Sequence, residues 1–163
     1  MSDKRIFLYD SSLRSGALPD GGKFSGADGL AIAKALDGLG IDYIEGGDPG
    51  SGPAGDALLV AAAKFSQARL AVLSPLQTRE EGAAGDPALA RARDNGARVV
   101  CLTGAASEQQ ARSMHGVEAR EQIDMIAERV SHIAGCADEV MFACGHFFDG
   151  FKANAHYALE CAA

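Results

Sequence analysis

The chain has no tryptophan, and Phe and Tyr make up only 6% of its residues. A core with so few large rings must be closed by small residues, and Ala and Gly carry much of the 47% apolar content. That composition suits helices lying close on a sheet. No apolar run approaches the ~18 residues of a membrane span. Lys and Arg number 15 against 22 Asp and Glu, for a net charge of −7. With no basic stripe, nucleic acid is excluded as the expected partner. No C-x-x-C pair occurs among Cys101, Cys136, Cys144 and Cys161, so the expectation is buried free thiols rather than a disulfide framework. Met1-Ser2-Asp3-Lys4-Arg5 leads into a strand rather than a signal-peptide apolar region, and the expected location is the cytoplasm. Gly46–Gly55 has neither a Walker nor a dinucleotide pattern, and His115, His132 and His156 have no ligand-like spacing.

Strand and helix patterns alternate along 163 residues, enough for one domain with a sizeable core. Strand 1 is read over Arg5–Asp10. Ser25 caps a helix, with Asp28 as the return acid of a capping box. Leu30, Ala33, Leu36 and Leu39 share its apolar face, and Gly40 ends it. Strand 2 is read over Ile41–Gly47, and a Gly- and Pro-rich loop over Asp48–Gly55. A second helix runs from about Asp56 to Phe65, strand 3 over Leu70–Leu73. A third helix starts at Asp86-Pro87 and stops at Gly96. Strand 4 is Val99–Thr103, and Gly104–Glu118 is polar without a clear period. A long helix over Arg120–Ala134 carries Ile123, Ile126, Val130 and Ile133 on its apolar face. Strand 5 is Val140–Cys144, and a last helix covers Ala153–Cys161.

Five consecutive βα units predict an α/β fold with a parallel sheet and right-handed crossovers. Five units cannot close an eight-stranded barrel. The sheet is therefore either a partial TIM barrel or an open doubly wound sheet, in a single domain over residues 1–163. Sites in such folds lie beyond the carboxyl ends of the strands. The end of strand 1, Tyr9-Asp10-Ser11-Ser12-Leu13-Arg14-Ser15-Gly16, places an acid, a base and three hydroxyls there.

Three segments carry a family resemblance: Arg5-Ile6-Phe7-Leu8-Tyr9-Asp10-x-x-Leu13-Arg14-x-Gly16; Ile41-Asp42-Tyr43-Ile44-Glu45-Gly46-Gly47-x-Pro49-Gly50-Ser51; and His146-Phe147-Phe148-Asp149-Gly150-Phe151-Lys152-Ala153-Asn154. Together they resemble citramalate synthase and its isopropylmalate and homocitrate synthase relatives, metal-dependent TIM barrels that condense acetyl-CoA with a 2-oxo acid. The resemblance implies that Arg14 polarises the oxo-acid carbonyl. The family's metal-binding Asp falls on Ser15, and a neutral hydroxyl cannot supply the anionic oxygen a hard cation prefers. Leu18 stands where the family has Gln, and Phe142-Ala143-Cys144-Gly145 where it has Phe-Asp-Ala-Glu. Ser107 and Gln110 stand where an aromatic residue and a His are expected, and the His-x-His metal pair belongs to a later strand. The losses fall on the site acids and spare the scaffold residues Tyr9, Asp10, Gly46, Gly47, Phe147 and Phe148.

The catalytic candidates are Arg14, Asp10 and Glu45. Arg14 either clamps a carboxylate in two-point fashion or pairs with Asp10 or Glu45. Asp10 either orients Arg14 or serves as a base, or else holds loop N–H groups. Glu45 is a general base or a structural partner of Arg14. The substrate-binding candidates are Arg14, Ser15, Ser12 and His146, although strand alternation with Cys144 and Phe142 points His146 away from the site. A Cys144–His146 thiolate pair lacks a third orienting group. No metal site and no cofactor are expected. The reading is a truncated, repurposed relative that binds or acts on a small carboxylate or 2-oxo acid without the family metal. The alternatives are half of a split synthase completed by a partner chain, and a non-catalytic interaction protein. The unpaired sheet edges make a homodimer the expected assembly.

Overall fold

The structure, a computed structural model, describes residues 5–15, 24–46, 64–76, 87–94 and 97–163, with single positions at 58, 61, 62 and 85. Most of the expected helix over 56–65, the Gly-rich loop over 48–55 and the helix stop at Gly96 lie outside the described residues. The chain divides into two compact units, residues 1–73 with 95–99, and residues 74–94 with 100–163.

Five strands are described: β1 (Tyr9–Asp10), β2 (Tyr43–Glu45), β3 (Arg69–Pro75), β4 (Val99–Ala105) and β5 (Glu139–Gly145). They lie in the sheet in the order β1-β2-β3-β4-β5. β1 pairs with β2, and β2 with β3, in parallel. A doubly wound sheet reverses direction at a switch point and places later strands beyond the first. The sequential order here is that of a partial barrel, and it resolves the two expected architectures in favour of that one.

In the first unit, α1 (Ser12–Ser15) follows β1 directly. α2 (Gly26–Gly38) begins at Ser25 with the expected capping box, in which Ser25 Oγ accepts from the Asp28 N–H and the Asp28 carboxylate accepts from Ser25 N–H. It closes with the Gly40 N–H on the Asp37 carbonyl and the Ile41 N–H on the Leu36 carbonyl, Gly40 taking a φ of +80°. This is a Schellman turn, in which only glycine is unstrained. Leu39 is not on the buried face: it is 77% exposed. The Asp37 carboxylate accepts N–H groups from Ser66, Gln67 and Ala68 at 2.9, 2.7 and 2.8 Å, tying the end of α2 to the entry of β3. Ala33, Ile44, Leu58, Ala68 and Leu70 form the core, with Leu13 and Leu36 packed against it.

The register separates the two faces of this part of the sheet. Asp10 aligns with Ile44 and Leu70, on the face that α2 covers. Tyr9 aligns with Tyr43 and Arg69, and Glu45 with Ala71, on the opposite face. There Tyr43 contacts Phe7 and Tyr9 at ring-centroid distances of 6.1 and 6.4 Å. Arg69 stacks over Tyr43, and the Tyr43 hydroxyl accepts from its Nη2 at 2.6 Å.

Strand 1 is shorter than expected. Only Tyr9 and Asp10 join the ladder, and Ile6, Phe7 and Leu8 are exposed. Asp42 holds this approach from the side, its carboxylate accepting from Leu8 N–H at 2.9 Å and pairing with the Arg5 guanidinium. β3 and β4 each run two residues beyond their expected ends, to Pro75 and Ala105.

The second unit contains α3 (Pro87–Asp94), α4 (Glu108–Gln110), α5 (Ala119–Ala134), α6 (Phe147–Ala153) and α7 (Ala155–Ala162). The polar stretch after β4 is helical: α4 continues into a π-helical turn over Ala111–His115, ended by Gly116 at φ +67°. α5 buries Gln122, Met125, Ile126, Arg129 and Ile133, while Ile123 and Val130 are only half-buried. On that face the Gln122 amide donates to the Ala105 carbonyl at 2.6 Å. The last helix is two: Asn154 ends α6 and caps α7 by accepting from Tyr157 N–H. Cys101 and Cys161 are buried as expected, but Cys136 is exposed and Cys144 half-buried, and all four are free.

Candidate functional site

The corner after β1 is built by short-range bonds. The Asp10 carboxylate accepts from the Ser12 N–H at 2.9 Å and the Ser12 hydroxyl at 3.0 Å. This Asx-type turn starts α1, and the Arg14 and Ser15 N–H groups donate to the Ser11 carbonyl at 3.1 and 2.9 Å. Leu13 anchors the turn on the core. The Ser15 hydroxyl lies 3.3 Å from that of Ser11.

Arg14 reaches back over the end of β2, where its Nε donates to Glu45 Oε1 in an ion pair. Glu45 is 2% exposed, and its second oxygen accepts from the Tyr9 hydroxyl at 3.1 Å. Both carboxylate oxygens are therefore engaged. The Arg14 side chain is 43% exposed. The structure thus brings Arg14 and Glu45 together and turns the Asp10 carboxylate onto Ser12. Tyr9 is the group that sequence reading passed over. Its signal was alternation: Tyr9, Tyr43 and Glu45 share one face once β1 and β2 pair in this register.

His146, Cys144, Ser107 and Gln110 lie in the second unit. His146 takes a left-handed φ of 55° at the start of α6, with Nδ1 3.7 Å from Asp149 Oδ2. Burial pushes the Cys144 thiol above its ordinary pKa, opposing thiolate chemistry beside His146. Ser107 is buried before α4, and the Ser113 hydroxyl approaches the Gln110 side-chain oxygen at 3.4 Å. Burial, then Arg129, lowers the His115 pKa.

Among the described residues, the donor set at the β1–β2 corner does not fit a divalent metal. Glu45 is occupied by Arg14 and Tyr9, Asp10 by Ser12, and position 15 offers only a neutral hydroxyl. No group of three or more potential His, Cys, Asp or Glu ligands occurs among the described residues.

Sequential βα units with a cation anchored at the strand ends define an α/β protein of the barrel type. The chain belongs to the HMGL-like family, whose pattern matches residues 5–162. It is 33% identical over 159 residues to the (R)-citramalate synthase of Streptomyces coelicolor and 32% identical to that of Aquifex aeolicus, covering 96% of this chain in each case. It spans about 30% of the length of those relatives. A 2-isopropylmalate synthase from a Picosynechococcus species matches 47 residues at 47% identity, 29% of this chain and 9% of that protein. Among solved structures, an HMG-CoA lyase from Acinetobacter baumannii in complex with coenzyme A and 3-methylmalate superposes at a TM-score of 0.64 and 14% identity, over 96% of this chain and 53% of that one. A hydroxymethylglutaryl-CoA lyase from Pseudomonas aeruginosa gives 0.60 at 18% identity, over 85% and 45%. These two share the fold. No helix among the described residues is long and apolar enough to cross a membrane.

Proposed function

We propose that the carboxyl ends of β1 and β2 bind a small carboxylate or 2-oxo acid through Arg14, without a metal. The observation that carries this reading is the cation held by a buried carboxylate. Glu45 accepts from the Arg14 Nε, and the Tyr9 hydroxyl donates to the other Glu45 oxygen. An arginine held in this way loses less side-chain freedom on meeting a carboxylate. Ser12 and Ser15 place hydroxyls on the same turn. The citramalate synthases that this chain resembles support the ligand class. Acyl-CoA condensation by the family route is not part of the proposal, because no carboxylate stands at position 15. His146, the other candidate from the sequence, lies in the second unit, and Asp10 supports the turn.

The test is calorimetric titration of 2-oxo acids and dicarboxylic acids into the wild-type chain and Arg14→Ala, with and without added divalent cation. Removing one charge-assisted contact should weaken binding by about tenfold or more. Added cation should leave the wild-type affinity unchanged. Equal binding to both proteins sinks the assignment of Arg14, and binding only with cation sinks the metal-free reading.

A homodimer is proposed on a separate observation. Ile6, Phe7 and Leu8 are 82%, 54% and 51% exposed beside the first strand of the described sheet. An apolar sheet edge favours pairing with another chain, and a second copy is the occupant proposed here.

A further inference from the structure

We infer that the homodimer forms by pairing of unlike edges, with β1 of one copy lying parallel beside β5 of the other. This pairing rests on the homodimer reading given above and goes beyond it by naming the surface that receives the β1 edge. One observation comes from each edge, and a third selects the occupant.

β5 stands at the end of the described sheet opposite β1. It has seven residues, as β4 does, and it carries Val140, Met141, Phe142 and Cys144. β4 buries Val99, Val100, Cys101, Leu102 and Ala105, whereas β5 buries none of its residues. Strands of a parallel sheet are ordinarily covered on both faces. The Gly145 carbonyl accepts from the Ala106 N–H at 2.7 Å, so the backbone of Gly145 faces β4. Backbone groups alternate sides along a strand, and those of Phe142 and Cys144 therefore face the outer edge. Among the described residues no strand pairs with that edge.

At the other end, the approach to β1 is already engaged on its inner side. The Leu8 carbonyl accepts from the Asp42 and Tyr43 N–H groups at 3.1 and 3.0 Å. Ile6, Phe7 and Leu8 are nonetheless exposed, and no strand among the described residues flanks β1 on its outer side.

A second copy fits because each copy carries both edges. A two-fold axis repeats the β1–β5 contact, and the pair uses each edge once. Charge favours the parallel sense. Arg5, with its side chain 70% exposed, enters β1, while Asp138 and Glu139 enter β5. Parallel pairing brings these two entries together, cation to acids. β5 against β5 supplies no such cation.

The experiment measures mass by sedimentation at micromolar concentration for the full chain, for Ile6→Lys with Leu8→Lys, and for Ala143→Lys. Ala143 is exposed on β5, so the lysine meets solvent in a single copy and an apolar edge only in the pair. Each variant should weaken the dimer by about tenfold or more. Loss in the β1 variant with an intact Ala143→Lys dimer overturns the β5 assignment and leaves the homodimer standing. A wild-type monomer overturns both. Hydrogen exchange on the unmodified chain decides if Ala143→Lys loses its folded spectrum. The Phe142 and Cys144 amides should exchange more slowly at high concentration than after dilution, and equal rates at both concentrations overturn the pairing.

Discussion

At the scale of single residues, the sharpest constraint is Gly150. It lies in the His146–Asn154 segment that carries the family resemblance, and the fold explains its glycine. The atoms a Cβ would meet are backbone: the Ala106 oxygen at 1.9 Å, the Ala106 carbonyl carbon at 2.9 Å and Ser107 Cα at 3.0 Å. No side-chain rotation can relieve this contact. Gly150→Ala should therefore destabilise the protein by at least about 2 kcal/mol, through displacement of α6 from the β4 exit. Urea unfolding followed by circular dichroism measures this, and an unchanged midpoint contradicts it. Position 15 makes the opposite point. Its serine reads as a missing acid only through the family resemblance, because the difference is one of charge rather than shape.

Elements differ in how much of their character is local. α2 was legible at both ends, since Ser25, Asp28 and Gly40 act within one turn of themselves. Ser25→Ala removes the cap and should cost about 1 kcal/mol in thermal or urea unfolding. The tie between α2 and β3 was not legible, because Asp37 bonds to residues 29 to 31 positions away. The Ser66, Ala68 and Gln67 N–H groups, in that order, hold its pKa down at about 2. A carboxyl depressed on folding stabilises the protein above its unfolded value of about 3.9 and loses that contribution as pH falls through the folded value. The stability gap between wild type and Asp37→Asn should thus be full at neutral pH and shrink from about pH 4 down to about pH 2. A gap independent of pH across that window contradicts the role given to Asp37. In α5 the apolar period placed the helix within one residue of its observed start. The buried face was misread by part of a turn, since Gln122 and Arg129 are buried by the neighbours they meet.

For the molecule as a whole, the alternation of strands and helices carried the class of fold. The choice between a partial barrel and a doubly wound sheet depended on strand order, which is a matter of pairing between distant segments. Strand 1 shows the limit most plainly. Its apolar run, Ile6-Phe7-Leu8, reads as a buried strand, yet those side chains are exposed and only Tyr9 and Asp10 join the ladder. Light scattering at micromolar concentration should give the mass of two chains. Ile6→Lys with Leu8→Lys should shift the protein towards the mass of one by placing like charges at the contact. A wild-type chain that runs as a monomer refutes the dimer.

By itself the sequence determined the α/β class, the capped helix α2 and the family resemblance, which implies a missing metal acid at Ser15. Each of these is written in short-range pattern or in residue chemistry. Only the tertiary structure decided the strand order, the pairing of Arg14 with Glu45, the Tyr9 hydroxyl behind that pair and the turn of Asp10 onto Ser12. Those depend on register and on which groups claim a side chain's hydrogen bonds. A list of residues offers Arg14 several partners; the pairing of β1 with β2 places Glu45 and Tyr9 beside it.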